Sequence, residues 1–415
     1  MNRPLRAALV ALLTGVLAGL GGCSWLKGLN PFDGDDEELG PAELVEFEPE
    51  GRLRADWRAT IGDGLGDLFT QLVPARVGNT LYVADAYGQV EARSLGNGNR
   101  RWETRIGTPE GGLLGSLVFW GRNDDDGSFV TGGVSADRDH VFLGTEHGEL
   151  VALRSEDGEE LWRSQLSSEV LAPAAIGGGH VFVMTLDGRL TALDVADGER
   201  VWSYDTQVPV LTLRGTGIPV YSDPLVFAGF ANGRLTALRG ENGEALWEHA
   251  VALPSGRSEL ERIADVDQAP LVTPSGAYVA SYQGAIKSLR LQDGAVQWER
   301  PVSSYGSLAT GYGQVYVTDE DGVLQALDST TGNVVWSQDM LLRRSVTGAG
   351  VFGPYVAVAD FEGYVHVFAQ SDGRLVGRER IDGDGIRIAP IGVDDRLVVL
   401  GNSGRLAVLR FARAE

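Results

Sequence analysis

The chain has one cysteine, Cys23. A thiol can attack, ligate or be acylated, but a lone one closes no intramolecular disulfide. Five histidines could bind a metal or move a proton: His140, His147, His180, His249 and His366. None forms an HxxxH pair with metal-ligand spacing, and His140 and His180 share one repeat position at a strand start, which suits packing. NDDDG at 123–127 has the composition of a calcium loop. Arg122 stands where its first ligand should be, however, and Gly133 where the terminal Glu belongs, so no metal site is expected. GDGLG at 62–66 would cradle a phosphate only ahead of a helix, and no helical period follows. These motifs carry no catalytic, metal or nucleotide chemistry.

Cys23 takes its meaning from what precedes it. Arg3 and Arg6 lead into AALVALLTGVLAGL, an export-signal layout. Its apolar core of about 14 residues is short for a membrane span. LGGC, Leu20 to Cys23, resembles the lipobox of bacterial lipoproteins. That likeness implies removal of residues 1–22 and acylation of Cys23, where several acyl chains give stable anchoring. Ser24 beside the cysteine implies onward export to the outer membrane, on its periplasmic face. Residues 23–52, with Pro31, Pro41, Pro49 and DGDDEE at 33–38, read as a flexible acidic tether. A net charge of −22 excludes nonspecific nucleic-acid binding, which needs clustered Lys and Arg.

The elements that must position any site come from a repeat. Fifty-seven glycines among 415 residues suggest short strands and tight turns. A Gly, a second Gly ten positions on and a Trp four positions beyond it recur from Gly148, Gly188, Gly233, Gly284 and Gly322. Weaker copies start at Gly88 and Gly363, the latter with Gly377 in place of Trp, and a truncated eighth starts at Gly404. In HVFVMTLDGRLTALDVADGERVW, apolar residues alternate and Asp187-Gly188 and Asp197-Gly198 mark hairpin turns. Four antiparallel strands in about 40 to 45 residues describe a propeller blade. The last repeat lacks its fourth strand, whereas LRADWRATIG at 53–62 is a Trp strand with nothing before it. Pairing the two closes the ring and removes the open edge. The expectation is all-β: one eight-bladed propeller over 53–411.

ALDSTTGNVVW, Ala326 to Trp336, resembles the tryptophan-docking motif of pyrroloquinoline quinone dehydrogenases, themselves eight-bladed propellers. There the motif is structural, and Trp57, Trp102, Trp162, Trp202, Trp247, Trp298 and Trp336 are expected to pack between blades. Burial of each ring contributes about 2 to 3 kcal/mol. Catalysis in that family rests on an adjacent Cys-Cys disulfide, a calcium site and an Asp base. With its single cysteine this chain lacks the disulfide, so no enzyme and no cofactor are expected.

Function in a repeat protein sits where regularity stops. Spacings of 60, 40, 45, 51, 38, 41 and 41 residues between Gly-led strands leave three surpluses. One, within 103–139, carries Leu113, Leu114, Leu117, Phe119 and Trp120 above Asp124 to Asp126. The others, 208–219 and 253–270, follow Trp strands in consecutive units and should emerge side by side on one face. Leu211, Leu213 and Arg214 beside Asp265 and Asp267 would then form an apolar patch edged by both charges, as protein-binding surfaces do. Burial of Leu211 and Leu213 in the next inner strand suits the composition equally well.

The lipobox, the cysteine-poor quinoprotein-type propeller, LTLRG at 211–215 and ERIADVD at 261–267 together resemble the BamB family, lipoproteins of the machinery that inserts β-barrels into the bacterial outer membrane. The resemblance spans the mature chain. It implies that Leu211, Leu213, Arg214, Asp265 and Asp267 hold the periplasmic POTRA repeats of the barrel subunit, BamA. Direct handling of unfolded outer-membrane protein clients stays open. The rival readings are a periplasmic quinone-dependent dehydrogenase and a propeller scaffold for another envelope partner.

Overall fold

Apolar alternation and glycine turns fold each repeat into a four-stranded antiparallel meander, and eight such sheets make up the fold. The structure is a computed structural model that describes residues 40–66, 70–107, 130–206, 216–252 and 265–414. Residues 1–40 separate as their own unit, and the blades belong to Pro41–Glu415. Blade 1 comprises Ala75–Val77, Thr80–Ala84, Gln89–Ser94 and Arg100–Arg105. Blades 2 to 7 repeat this order through Leu375–Arg380. The first strands of blades 1 to 4, and those of blades 6 to 8, lie against one another in order. Blade 2 gains a fifth strand, Gln71–Leu72, parallel to Val130–Ala136.

Blade 8 closes the ring as the repeat count predicts. Ile391–Val393, Arg396–Leu400 and Arg405–Arg413 are completed by Gly51–Thr60 from the other end of the chain. The strands reach two residues further than the sequence boundary at both ends, from Gly51 to Arg413.

The tryptophans join blade to blade. Each indole N–H donates to a carbonyl in the next blade: Trp57 to Leu95, Trp102 to Ser155, Trp162 to Val195, Trp202 to Gly240, Trp247 to Leu291, Trp298 to Ser329 and Trp336 to Gln370, all between 2.8 and 3.1 Å. The second glycine of each repeat explains its own recurrence. A Cβ on Gly332 would lie 2.6 Å from the Trp298 ring, and at φ +70 a side chain is strained as well. Only glycine gives the preceding blade's indole a flat seat. Within a blade, the register sets an aromatic, a small residue and the Trp side by side, as in Tyr316, Ala326 and Trp336. The small middle residue lets the two rings approach to 5.8 Å.

Blade 7 breaks this pattern, with Ala357, Val367 and Gly377 in the same three places. The reason lies in the seam. Blade 8 takes its fourth strand from the N-terminal side, so it has no glycine turn on which a blade 7 indole could rest. Phe411 fills the space instead, 4.5 Å from the Tyr355 ring, and a Cβ on Gly377 would come within 2.5 Å of it.

Pro41 to Glu50, which composition assigns to the tether, is held on blade 7. The Ala42 N–H donates to Leu342 O at 2.9 Å, and Arg344 Nη1 donates to Ala42 O at 2.9 Å. Arg378 donates to Val45 O at 2.7 Å and lies 5.1 Å over the Phe47 ring. Arg374 pairs with Glu50 at 2.6 Å. These partners stand some 300 positions along the chain, beyond the reach of local pattern.

Candidate functional site

Cys23, Leu211, Leu213 and Arg214 lie outside the described residues, as do the signal segment and the insert around Asp124 to Asp126. The roots of the two neighbouring long loops are described. The first loop follows the Trp202 strand, Arg200–Asp205, and enters blade 4 through Thr216 and Gly217 ahead of Val220–Ser222. The second follows the Trp247 strand, Ala245–Ala250, and enters blade 5 through Asp265 to Asp267 ahead of Leu271–Thr273.

Two glycines bring these roots together. A Cβ on Gly217 would stand 2.9 Å from Val266 O, and one on Gly229 would stand 2.5 Å from Val266 Cγ1. Neither position admits a side chain, and Val266 drops between them into the core formed with Phe227, Leu235 and Trp247. The Val266 N–H donates to Phe230 O and the Tyr282 N–H to Asp265 O, both at 3.4 Å. The two segments are therefore adjacent where they enter their blades, as their matching places in the repeat predict.

The carboxylates do not sit at the edge of an exposed patch as the sequence suggested. Asp265 is only 2 % exposed and Asp267 is half-buried. Asp265 and Asp267 flank Val266 in the segment ahead of the Leu271–Thr273 strand, close enough for the two carboxyls to interact. Asp267 Oδ1 is sealed from solvent with no hydrogen-bond partner among the described residues, and so is Thr216 Oγ1 on the adjoining root. Burial first, and then the charge of Asp265, push the Asp267 carboxyl up to about 7. A buried carboxylate so placed is costly to the fold, which marks it as a functional candidate.

A second polar cluster escaped the sequence reading. Arg344, Asp360 and His366 are all buried in blade 7 and its approach. Asp360 accepts from Arg344 at 2.8 Å and from His366 Nε2 at 3.0 Å. Burial raises the Asp360 carboxyl, but bonds and charge from His366, the Tyr364 N–H and Arg344 outweigh it and hold it low. Burial keeps His366 below the ordinary imidazole value. His366 Nδ1 is buried with no hydrogen-bond partner among the described residues. The cluster is a clamp: Arg344 also pairs with Glu362 and carries Ala42. Its one sequence signal is Asp360 in the hairpin position that Asp85 and Asp319 also occupy, where each carboxylate accepts turn N–H groups. Among the described residues no group of three or more His, Cys, Asp or Glu could hold a metal ion.

Comparison with known proteins bears on this site. A family model described as "Outer membrane protein assembly factor BamB" matches residues 117–338 and 320–414. The protein of that name from Pseudomonas aeruginosa is 39% identical over 400 residues, covering 96% of this chain and 97% of the relative. The crystal structure of BamB from Moraxella catarrhalis superimposes with a TM-score of 0.75 at 28% identity, over 86% of this chain and 100% of that one. A quinohemoprotein alcohol dehydrogenase from Comamonas testosteroni matches with a TM-score of 0.66 at 15% identity, over 86% of this chain and 76% of that one. That last likeness concerns the fold alone.

Proposed function

The chain belongs to the BamB family of outer membrane protein assembly factors, and from that premise we propose that it is a non-catalytic scaffold docking the POTRA domains of BamA. The observation that carries this reading is the joining of the two long-loop roots at Gly217 and Val266, with Asp265 and Asp267 set beside them. Rigid blades hold both roots, so the loops that grow from them start from fixed points. Leu211 and Leu213 supply apolar anchors, Arg214 a guanidinium, and Asp265 and Asp267 the charge at the base. A carboxyl that the fold strains to keep ionised is neutralised best by a cation arriving from a partner.

The lipid-bearing Cys23 would hold the ring at the periplasmic face of the outer membrane, with residues up to about Gly40 as the tether. A dehydrogenase reading requires an oxidised cofactor seated on a cysteine pair that a single-cysteine chain cannot form. Co-purification from envelope extract tests the proposal. Leu213→Ala with Arg214→Glu should lose BamA while keeping the wild-type melting transition. Retention of BamA at the wild-type level by that folded double variant would remove the proposed site.

A further inference from the structure

The seam side of the ring differs in charge from the rest of the molecule. Residues 51–60 and 374–413 carry eleven arginines against six acidic residues, in a chain whose net charge is −22. Three of these arginines, Arg58, Arg380 and Arg405, line a groove of about 340 Å³ between the outer strands of blades 7 and 8. Glu379 and Thr60 complete its polar lining. Among the described residues, none of the three guanidiniums has a carboxylate partner. Arg380 donates to Glu362 O at 2.9 Å and stacks 5.7 Å from the Tyr364 ring, Arg405 donates to Ile381 O at 3.5 Å, and Arg58 makes no side-chain bond to another described residue. By contrast, Arg410 and Arg396, nearby on the same blade, share Asp56. With three arginines against one glutamate in its lining, the groove thus keeps a net positive charge in an acidic protein.

We propose that this groove binds the phosphate of anionic phospholipid headgroups at the membrane surface, a reading that rests on the outer-membrane tethering above. Guanidinium forks match phosphate oxygens in pairs. The groove also lies where the chain from the anchor joins the ring. Glu362 links the two: its carbonyl accepts from Arg380 of the groove, and its carboxylate pairs with Arg344, which holds Ala42. Lipid contact here would set the tilt of the ring, and in the order of the blades this seam lies across the ring from the roots at blades 4 and 5. Both surfaces can therefore be engaged together. The distant acidic surface opposes contact only weakly, because charges beyond about 8 Å are screened at physiological salt.

The test uses the full mature chain with Cys23→Ala, which removes the acyl chains, and vesicles with or without phosphatidylglycerol. At about 100 mM salt it should sediment with phosphatidylglycerol vesicles and not with phosphatidylcholine alone. Arg58→Ala with Arg405→Ala should weaken that partition roughly thirty-fold, from the usual contribution of a basic residue at an anionic surface. Arg58→Lys with Arg405→Lys should retain most of it, and Arg290→Ala on blade 5 should leave it unchanged. Equal partition of the wild-type and double-alanine chains overturns the proposal. So does tighter binding of inorganic phosphate or of a polyglutamate peptide than of the vesicles. The assay contains no BamA, and Cys23 acylation is read separately from the mature protein's mass, so a negative result here leaves docking and anchoring standing.

Discussion

Replacing Asp267 with Asn should stabilise the ring while weakening its hold on its partner. In the native state the Asp267 carboxyl titrates at about 7, against an ordinary value of 3.8. Between those two pH values the folded protein keeps a proton that the unfolded chain has released. Stability then falls as pH rises through the window and levels off above it. A shift of about three units, at ~1.4 kcal/mol each, gives a loss of up to about 4 kcal/mol from pH 4 to pH 8. Asn at this position has no such window. Urea denaturation of wild type and Asp267→Asn at several pH values isolates the group together with its coupling to Asp265, because the more distant titrations are common to both chains. The stability difference should grow in favour of Asn by several kcal/mol between pH 4 and pH 8. Parallel curves would refute the reasoning by showing that Asp267 ionises freely in the native ring. If the carboxylate serves docking, the same variant should also bind BamA less tightly at pH 8, a stabilised fold with poorer function.

Other elements give separate expectations. Trp298→Ala should cost about 3 to 5 kcal/mol, and Gly332→Ala, which puts a methyl group against that indole, should cost much less in the Trp298→Ala background than alone; thermal melts of the four chains read the coupling. Phe411→Ala should lower stability by about 3 kcal/mol by emptying the space that Gly377 leaves, measured in the same way. Arg344→Met should cost about 3 to 5 kcal/mol by leaving Asp360 buried without its cation, and proteolysis should then cut sooner near residue 42, whose carbonyl Arg344 holds.

The architecture was legible because it is written locally and repeatedly. Gly188, Gly198 and Trp202 stand in one short run, and the run recurs until its final half is missing, which points to the strand at Trp57. What escaped the sequence depends on partners far apart in the chain. Nothing around Phe47 or Glu50 announces Arg378 or Arg374, so a segment clipped to blade 7 looks like tether. Phe411 beneath Gly377 is invisible for the same reason, since strand closure brings them together. At the candidate site, loop length and placement correctly put the two roots together. The burial of Asp265 was not legible, because a carboxylate in a long loop reads as solvated unless the fold shows Val266 pulling that stretch inward.

Docking of the barrel subunit is proposed on one face of the ring, at the loops rooted beside Gly217 and Val266. A photo-crosslinking residue at Leu211 or at Asp267 tests this directly in intact envelopes, with Tyr312 as the comparison. Tyr312 is 68 % exposed in the hairpin between Ala309–Gly311 and Gln314–Thr318, on the opposite face. A BamA adduct is expected from positions 211 and 267 and none from 312. An adduct from 312 with none from 211 or 267 would contradict it.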